Sequence, residues 1–446
     1  MRPRILRHSL DLWVDPATAF VALYGDATDV VWLDSGIGAS EGKSFMGSAA
    51  RSVTSDELDM TVLDFLRSEQ ETNAAETETD GAGFALGWLG WLSYELRFET
   101  MNLPRTRTSR YPDAAFLFLD RALEFDHATS TLSLLALGTE WDESLVAWRD
   151  AVVAAITRAT PPPAPHRARL FGSAYWRYSD DDYLAKIAAC QAAITEGDAY
   201  QVCLTSEFRV QGNPDPLASY LTLRASSPSH HGALLRIGAI SLLSSSPEQF
   251  LTVTPDGIVE SKPIKGTRPR GDTPEADAAL RAELLASDKE LAENLMIVDL
   301  MRNDIAQVSE VGSVEVTSLQ SVESYAQVHQ LVSTVRGTLR SDLTGVDAVA
   351  ACFPAGSMTG APKRSAVTIL DHLEDRPRGI YSGAFGYFGL DGRIDLAMVI
   401  RSIVIDPLGA TVGSGGGITA LSDPAAELDE VRVKAAVLLA VLGVRD

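Results

Sequence analysis

The sequence is poor in cysteine and histidine, with 3 and 7 of them in 446 residues. Cys190, Cys203 and Cys352 are odd in number and show no CxxC spacing, which excludes a disulfide framework and a zinc site built on paired thiolates. The apolar surroundings of Cys203 and Cys352 predict buried, inert thiols and a reducing compartment. Positive charge is also scarce: 38 Lys and Arg face 60 Asp and Glu, a net charge of −22. Such a field repels phosphate backbones and anionic lipid, so nucleic acid and membrane surfaces are excluded as partners. An anionic substrate would then need a locally positive site made of arginines, backbone N–H groups or a metal ion. Long apolar runs are missing as well. The longest, residues 435–444, is too short for a bilayer and predicts a buried terminal helix. Residues 1–12 are basic but lack the apolar stretch of a secretory signal. Together these absences predict a soluble, cytoplasmic protein.

What is present is ordinary globular composition, 46% hydrophobic and 22% charged, in a chain long enough for about two domains. Two seams divide it. Residues 68–83 carry five carboxylates and no cation, which predicts a solvated acidic loop. The proline cluster at 160–167 can continue neither a helix nor a central strand. It predicts a boundary between an N-terminal domain, 1–160, and a larger C-terminal domain, 170–446. Residues 19–24, 30–33, 114–119 and 132–137 read as strands. Beyond the seam, Tyr183, Ile187, Cys190 and Ile194 recur at helical spacing over 180–196. Strands are expected at 200–208, 240–243, 250–253, 383–388 and 397–405. Helices are expected at 274–285, from 288 to about 308, and from about 424 onward. The mixture predicts an α/β or α+β fold with large, mostly antiparallel sheets covered by helices.

Several groups could carry chemistry. Glu290 and Glu293 lie three apart at the start of a largely apolar helix, and Glu427 and Glu430 repeat that spacing before Lys434. Glu290 has a structural reading, reaching back to the N-cap in a Ser287-x-x-Glu290 capping box. If the two pairs converge, their oxygens suit magnesium; otherwise they are exposed helix surface. Gly415, Gly416 and Gly417 either form an anion-binding nest of backbone N–H groups or a flexible turn. Arg401 reads as part of an interior strand, where it must pair with a carboxylate or clamp one from a substrate. Glu248 is a solvated turn residue or, if buried with a raised pKa, a general acid. Lys265, within Pro263-Ile264-Lys265-Gly266-Thr267-Arg268, reads as an amine pinned at a tight turn. A loop lysine ordinarily forms an ion pair or is solvated. As a nucleophile it would need a neighbouring cation or desolvation to release its proton.

From about residue 175 onward the chain resembles the chorismate-utilising enzymes, which include anthranilate synthase component I, aminodeoxychorismate synthase component I, and the isochorismate and salicylate synthases. The resemblance rests on SPEQFL, PIKGTRPRG, LAENLMIVDLMRND, FPAGSMTGAPK, GIYSGAFGYF, MVIRS, and GSGGGI followed by SDPAAELDEVRVKA, in that order. Trp32-Leu33-Asp34-Ser35 and the stretch Gly87-Trp88-Leu89-Gly90-Trp91-Leu92-Ser93-Tyr94-Glu95 look like the N-terminal region of the two amidotransferase-coupled members.

The resemblance implies the chorismate-binding fold, with Mg²⁺ near Glu293 and Glu430 and with Glu290 and Glu427 supporting it. It implies that the ring carboxylate of chorismate meets the metal, Gly266 and Thr267. The enolpyruvyl carboxylate would meet Arg401, Tyr381 and the amides of Gly415, Gly416 and Gly417, with Lys434 close by. Glu248 would be the acid that assists departure of the C4 hydroxyl. Lys265 marks the aminodeoxychorismate branch: it would attack C2, and ammonia would then enter at C4 and expel it. Anthranilate synthases usually carry alanine at this position. The isochorismate and salicylate enzymes carry a water-activating lysine where this chain has Gln201. The alternatives are an anthranilate synthase component I or a non-catalytic tryptophan-binding regulatory subunit. The family also implies a tryptophan pocket beside Leu33, Asp34 and Ser35. Several relatives have V-x-His-Leu-Val-Ser where this chain has Val328-His329-Gln330-Leu331-Val332-Ser333, so His329 is displaced by one position and receives no catalytic role. No cysteine has the flanking glycines of a nucleophile elbow, so ammonia is expected from a glutaminase subunit or from solution.

Overall fold

The structure, a computed structural model, describes residues 3–77, 83–162, 174–325 and 328–444. Among these residues the strands form two large sheets, antiparallel throughout except where Arg4–Leu10 runs parallel to Glu76–Thr77. One sheet runs from Ala174–Trp176 through Gln201–Val210, Gly409–Ile418, Ser402–Asp406, Ile240–Ser246 and His231–Ile237 to Val30–Asp34, and on through four further strands to Glu76–Thr77. The other runs from Ile264–Pro269 through Val328–Thr338, Ile258–Ser261, Gln249–Val253, Ile394–Met398 and Ala384–Gly389 to Gly87–Leu92, Ala114–Leu119 and Arg51–Thr54. The expected α+β class is what the chain adopts.

Strands from both sides of the proline seam share both sheets: His231–Ile237 pairs with Val30–Asp34, and Ala384–Gly389 with Gly87–Leu92. The seam therefore does not separate one sheet from the other.

Period-two alternation decides which core each side chain enters. Val31, Leu235 and Leu242 point into the space between the sheets, beside Trp88, Trp91, Phe116 and Phe388. Their neighbours Trp32, Leu234 and Leu243 point to the outer face. Helices Pro16–Tyr24, Glu143–Arg158, Pro216–Ser226 and Pro424–Val441 cover that outer face with Phe20, Val152, Tyr220 and Leu438. Both faces of the first sheet are thus buried, which is why its strands read as nearly continuous apolar runs.

Helices Asp180–Glu196 and Pro274–Leu285 have the expected bounds, each with a capping side chain, Ser179 and Thr273 respectively. Four expectations need correction. Residues 19–24 belong to helix Pro16–Tyr24, started by Asp15, which accepts from the N–H groups of Ala17 and Thr18, and by Pro16 at its first position. A short apolar run has no period that separates a buried helix from a strand. The strand expected over 397–405 is broken into Ile394–Met398 and Ser402–Asp406, with Arg401 at φ +50° between them. Gly415, Gly416 and Gly417 form neither a turn nor a nest but the C-terminal part of strand Gly409–Ile418, paired with Thr205, Leu204 and Cys203. The start of the acidic stretch 68–83 is the end of helix Val62–Thr72. Residues 78–82 of that stretch, and 163–167 of the proline seam, lie outside the described residues. No helix among the described residues is long and apolar enough to cross a membrane.

Candidate active site

A cleft of about 420 Å³ opens between the ends of the two sheets and gathers residues from ten separate stretches of the chain. Lys265, Gly266, Thr267 and Arg268 enter on strand Ile264–Pro269, and Gln330 on its partner Val328–Thr338. Glu290 and Glu293 come from helix Asp288–Ala306, and Glu427, Glu430 and Lys434 from helix Pro424–Val441. Glu248, Ser357, Tyr381, Arg401 and the glycines of strand Gly409–Ile418 complete the wall. Every catalytic, chorismate-binding and metal residue singled out in the sequence lines this one cleft.

Lys265 lies in a strand and not at a turn. The pairing with Val328–Thr338 slips between Ile264 and Thr267, and Gly266 takes φ +86° at the slip. A Cβ on Gly266 would come within 3.0 Å of Glu290 Oε2. Gly266 therefore lets the lysine strand and the glutamate helix approach closely. Gly413 plays the same part below: a Cβ there would lie 2.1 Å from the ring of Tyr381, which crosses the strand at that point.

Glu248 is 7% exposed, and burial pushes its carboxyl up from 4.5 to about 7. Lys265 and hydrogen bonds from Ser357 and the Ile264 amide pull in the opposite direction. A carboxyl poised there can give or take a proton near neutral pH. Among the described residues, the side chains of Lys265 and Arg401 have neither hydrogen-bonded nor ion-pair partners. Burial lowers the Arg401 guanidinium from its ordinary value, with Tyr381 and Glu430 opposing. Of the two roles open to Arg401, pairing with a structural carboxylate is absent among the described residues. Two cations without a direct partner at the wall of one cleft are available to an anion.

The four glutamates, by contrast, are each matched. Arg268 lies 3.6 Å from Glu290, and Lys434 lies 2.7 Å from Glu430. Lys289 spans the gap between the helices, 3.2 Å from Glu427 and 3.9 Å from Glu293. Burial raises the Glu293 carboxyl despite Lys265 and Lys289. Burial is outweighed at Glu430, where Lys434 holds the carboxyl below its ordinary value. The capping box is half formed: Ser287 accepts from the Glu290 amide, while the Glu290 side chain faces the cleft. As placed, no three acidic, imidazole or thiol groups among the described residues form a metal cage. The donor chemistry nevertheless suits a hard divalent cation, with lysines standing on the carboxylates such an ion would use.

Under the floor, Arg378 donates to the backbone carbonyls of Met358 at 2.7 Å and Cys203 at 2.9 Å, both of which line the cleft. Its charge is matched by Glu374 at 2.7 Å, which also accepts from the Thr205 amide. All three cysteines are buried, and burial raises each thiol. Sequence reasoning missed Lys289, Ser357, Arg378 and Gln330. Ser357 stood within a quoted block, and Lys289 stood beside Glu290, so both were in plain sight. Leu33 and Asp34 line a separate cavity of about 70 Å³. Asp34 is already engaged by Arg224 at 2.6 Å and Tyr220 at 3.1 Å, and the Ser35 hydroxyl donates to the Lys43 carbonyl.

Residues 28–440 match the chorismate binding enzyme family. The chain belongs to that family. It is 44% identical to an aminodeoxychorismate synthase of Streptomyces griseus over 99% of its own length, and 43% identical to one of Streptomyces pristinaespiralis over 96%. It spans 64% of the length of each of those proteins. Among solved structures it resembles anthranilate synthase component I of Streptococcus pneumoniae, with a TM-score of 0.75 and 26% identity over 97% of this chain and 100% of that one.

Proposed function

We propose that this chain aminates chorismate at C4 to give 4-amino-4-deoxychorismate, the component I step toward 4-aminobenzoate and folate in the cytoplasm. The observation that carries the reading is the unpartnered Lys265 amine in one cleft with Glu248, whose carboxyl titrates near 7. The names of the Streptomyces relatives support the same branch.

In the proposed reaction Arg401 takes the enolpyruvyl carboxylate, with Tyr381 and the Gly415, Gly416 and Gly417 backbone beside it and Lys434 nearby. Gly266 and Thr267 bracket the ring carboxylate. The Lys265 amine attacks C2, the ring double bonds shift, and the C4 hydroxyl leaves as water with a proton from Glu248. Glu248, now a carboxylate, recovers a proton from the alkylated Lys265 nitrogen. Ammonia then bonds to C4, the double bonds shift back, and Lys265 departs from C2 with its electron pair and a proton returned by Glu248. Mg²⁺, held by Glu293 and Glu430 with Glu290 and Glu427 in support, would neutralise the ring carboxylate and ease departure of the hydroxyl. A glutaminase subunit would supply the ammonia.

The test is to incubate the purified chain with chorismate, Mg²⁺ and an ammonium salt and to identify the product by mass spectrometry. The expected product is converted to 4-aminobenzoate by an added lyase. Fluorescent 2-aminobenzoate would place the chain in the anthranilate branch instead, and no turnover with either ammonium or an added glutaminase would overturn the reading.

A further inference from the structure

Arg401 stands at a bend that its neighbours in the sequence do not favour. Val399-Ile400 before it and Ile403-Val404-Ile405 after it are β-branched residues suited to extended backbone, and no glycine or proline interrupts them. Yet strand Ile394–Met398 ends here and strand Ser402–Asp406 begins. Between them Arg401 takes φ +50°, a left-handed conformation that residues other than glycine avoid. Left to themselves these residues would run on as one strand, so the bend has to be held by its surroundings.

The carbonyls of the bend show what holds it. Those of Met398, Val399 and Arg401 accept from backbone amides, of Ile400 at 3.0 Å, Ser382 at 3.0 Å and Ser245 at 3.1 Å respectively. The Ile400 carbonyl accepts from a side chain, the Ser402 hydroxyl, at 2.8 Å. A serine that reaches back to the carbonyl two residues before it offers the backbone an alternative to the sheet ladder. The Ser402 hydroxyl is itself fixed by a 2.9 Å hydrogen bond with that of Ser244, the residue opposite it in the neighbouring strand. Ser402 is 3% exposed and Ser244 1%, so water does not compete for either hydroxyl. Ser402 stands outside the cleft wall, whereas Ile400 and Arg401 are part of it.

We propose that Ser402 is a positioning residue: by holding the Ile400 carbonyl it keeps Arg401 in the left-handed bend that delivers the guanidinium to the substrate carboxylate. This rests on the reading above, in which Arg401 takes the enolpyruvyl carboxylate of chorismate. Because Ser402 lies outside the cleft, it governs how tightly the substrate is held and not the covalent steps. Without the hydroxyl, the backbone of 399–402 is free to extend as its residues favour. Side chains then alternate between the two faces of the sheet, and the arginine loses its aim.

Ser402→Ala removes the hydroxyl and nothing else. The expected result is a KM for chorismate raised by about ten-fold, the loss of one good hydrogen bond, with kcat within about two-fold of wild type. The deciding measurement is a double-mutant cycle with Arg401→Gln. If Ser402 acts through Arg401, the double variant has the KM of Arg401→Gln alone. An unchanged KM in Ser402→Ala overturns the proposal. So does a rise that persists at the same size in the Arg401→Gln background, which is what a general loosening of the fold would give. Ser402→Thr keeps the hydroxyl and should keep the wild-type KM. If Ser402→Ala does not fold by circular dichroism, Ser402→Cys, a weaker donor of similar shape, takes its place in the same cycle. The wild-type chain tests the underlying reading separately. If it fails to bind chorismate in an equilibrium titration, that reading is removed and this inference falls with it; if it binds chorismate and Ser402→Ala binds equally well, this inference alone is removed.

Discussion

Lys289 and Glu427, 138 residues apart in sequence and on different helices, form a 3.2 Å ion pair across the wall of the cleft. The same ammonium reaches toward Glu293 at 3.9 Å, so one lysine stands between carboxylates from both helices. Two glutamates on neighbouring helices would repel each other in a partly buried site, and Lys289 offsets that repulsion. A divalent cation binding there must displace it.

Lys289→Met is therefore expected to tighten Mg²⁺ binding several-fold while lowering the melting temperature of the metal-free protein by a few degrees. Isothermal titration calorimetry with Mg²⁺ and thermal unfolding without it are the two measurements. Weaker Mg²⁺ binding by the variant would mean that the lysine assists the metal site.

Lys265→Ala removes a side chain that makes no hydrogen bond or ion pair among the described residues, so the fold should be unaffected. Formation of the C4-amino product should fall by at least about 1,000-fold, the scale of losing a covalent nucleophile. Product analysis after long incubation checks this, and some 2-aminobenzoate is expected in its place. Undiminished C4 product would sink the covalent mechanism.

Glu248 links activity to stability through one carboxyl. Its acid form is the working one, so kcat/KM should fall as pH rises above about 7. The folded-state pKa lies above the ordinary 4.5, so the folded protein binds more protons than the unfolded chain between those values. Stability therefore falls as pH rises through that window, by about 2–3 kcal/mol between pH 5 and 8. Glu248→Gln should lose the activity and abolish that decline, leaving the variant more stable than wild type at pH 8. Denaturant unfolding at the two pH values checks it.

Arg401 stands in a left-handed backbone conformation, and among the described residues no carboxylate pairs with its guanidinium. Arg401→Gln should raise the KM for chorismate by about 30-fold or more, the loss of a charge-assisted pair. It should leave the melting temperature unchanged or higher, because no internal ion pair is lost. Steady-state kinetics and thermal unfolding on one preparation separate the two effects.

Much of this site was legible from residues close together in the chain. Glu290 with Glu293, and Glu427 with Glu430, declare a shared helical face by their spacing, and both helices form as that spacing requires. Lys265 and Gly266 were visible as a lysine with a glycine behind it. The slip in strand pairing that points Lys265 into the cleft was not, because it depends on a partner strand more than sixty residues away. Arg401 was misread as a strand residue, since the apolar residues around it are those of a strand and only φ marks the bend.

Local order in the sequence determined the helices with caps, the alternation that sorts side chains between two cores, and the identity of the reactive groups. Those properties depend on interactions within a few residues, where side-chain chemistry and backbone period act directly. Tertiary structure alone decided which charges are matched and which are left open. Among the described residues Lys289 is matched and Lys265 is not, Glu248 is buried and Glu290 only partly so, and Gln330 rather than His329 lines the cleft. Burial and long-range pairing set those outcomes, because a side chain's pKa and partners depend on what the rest of the chain brings within a few ångströms of it.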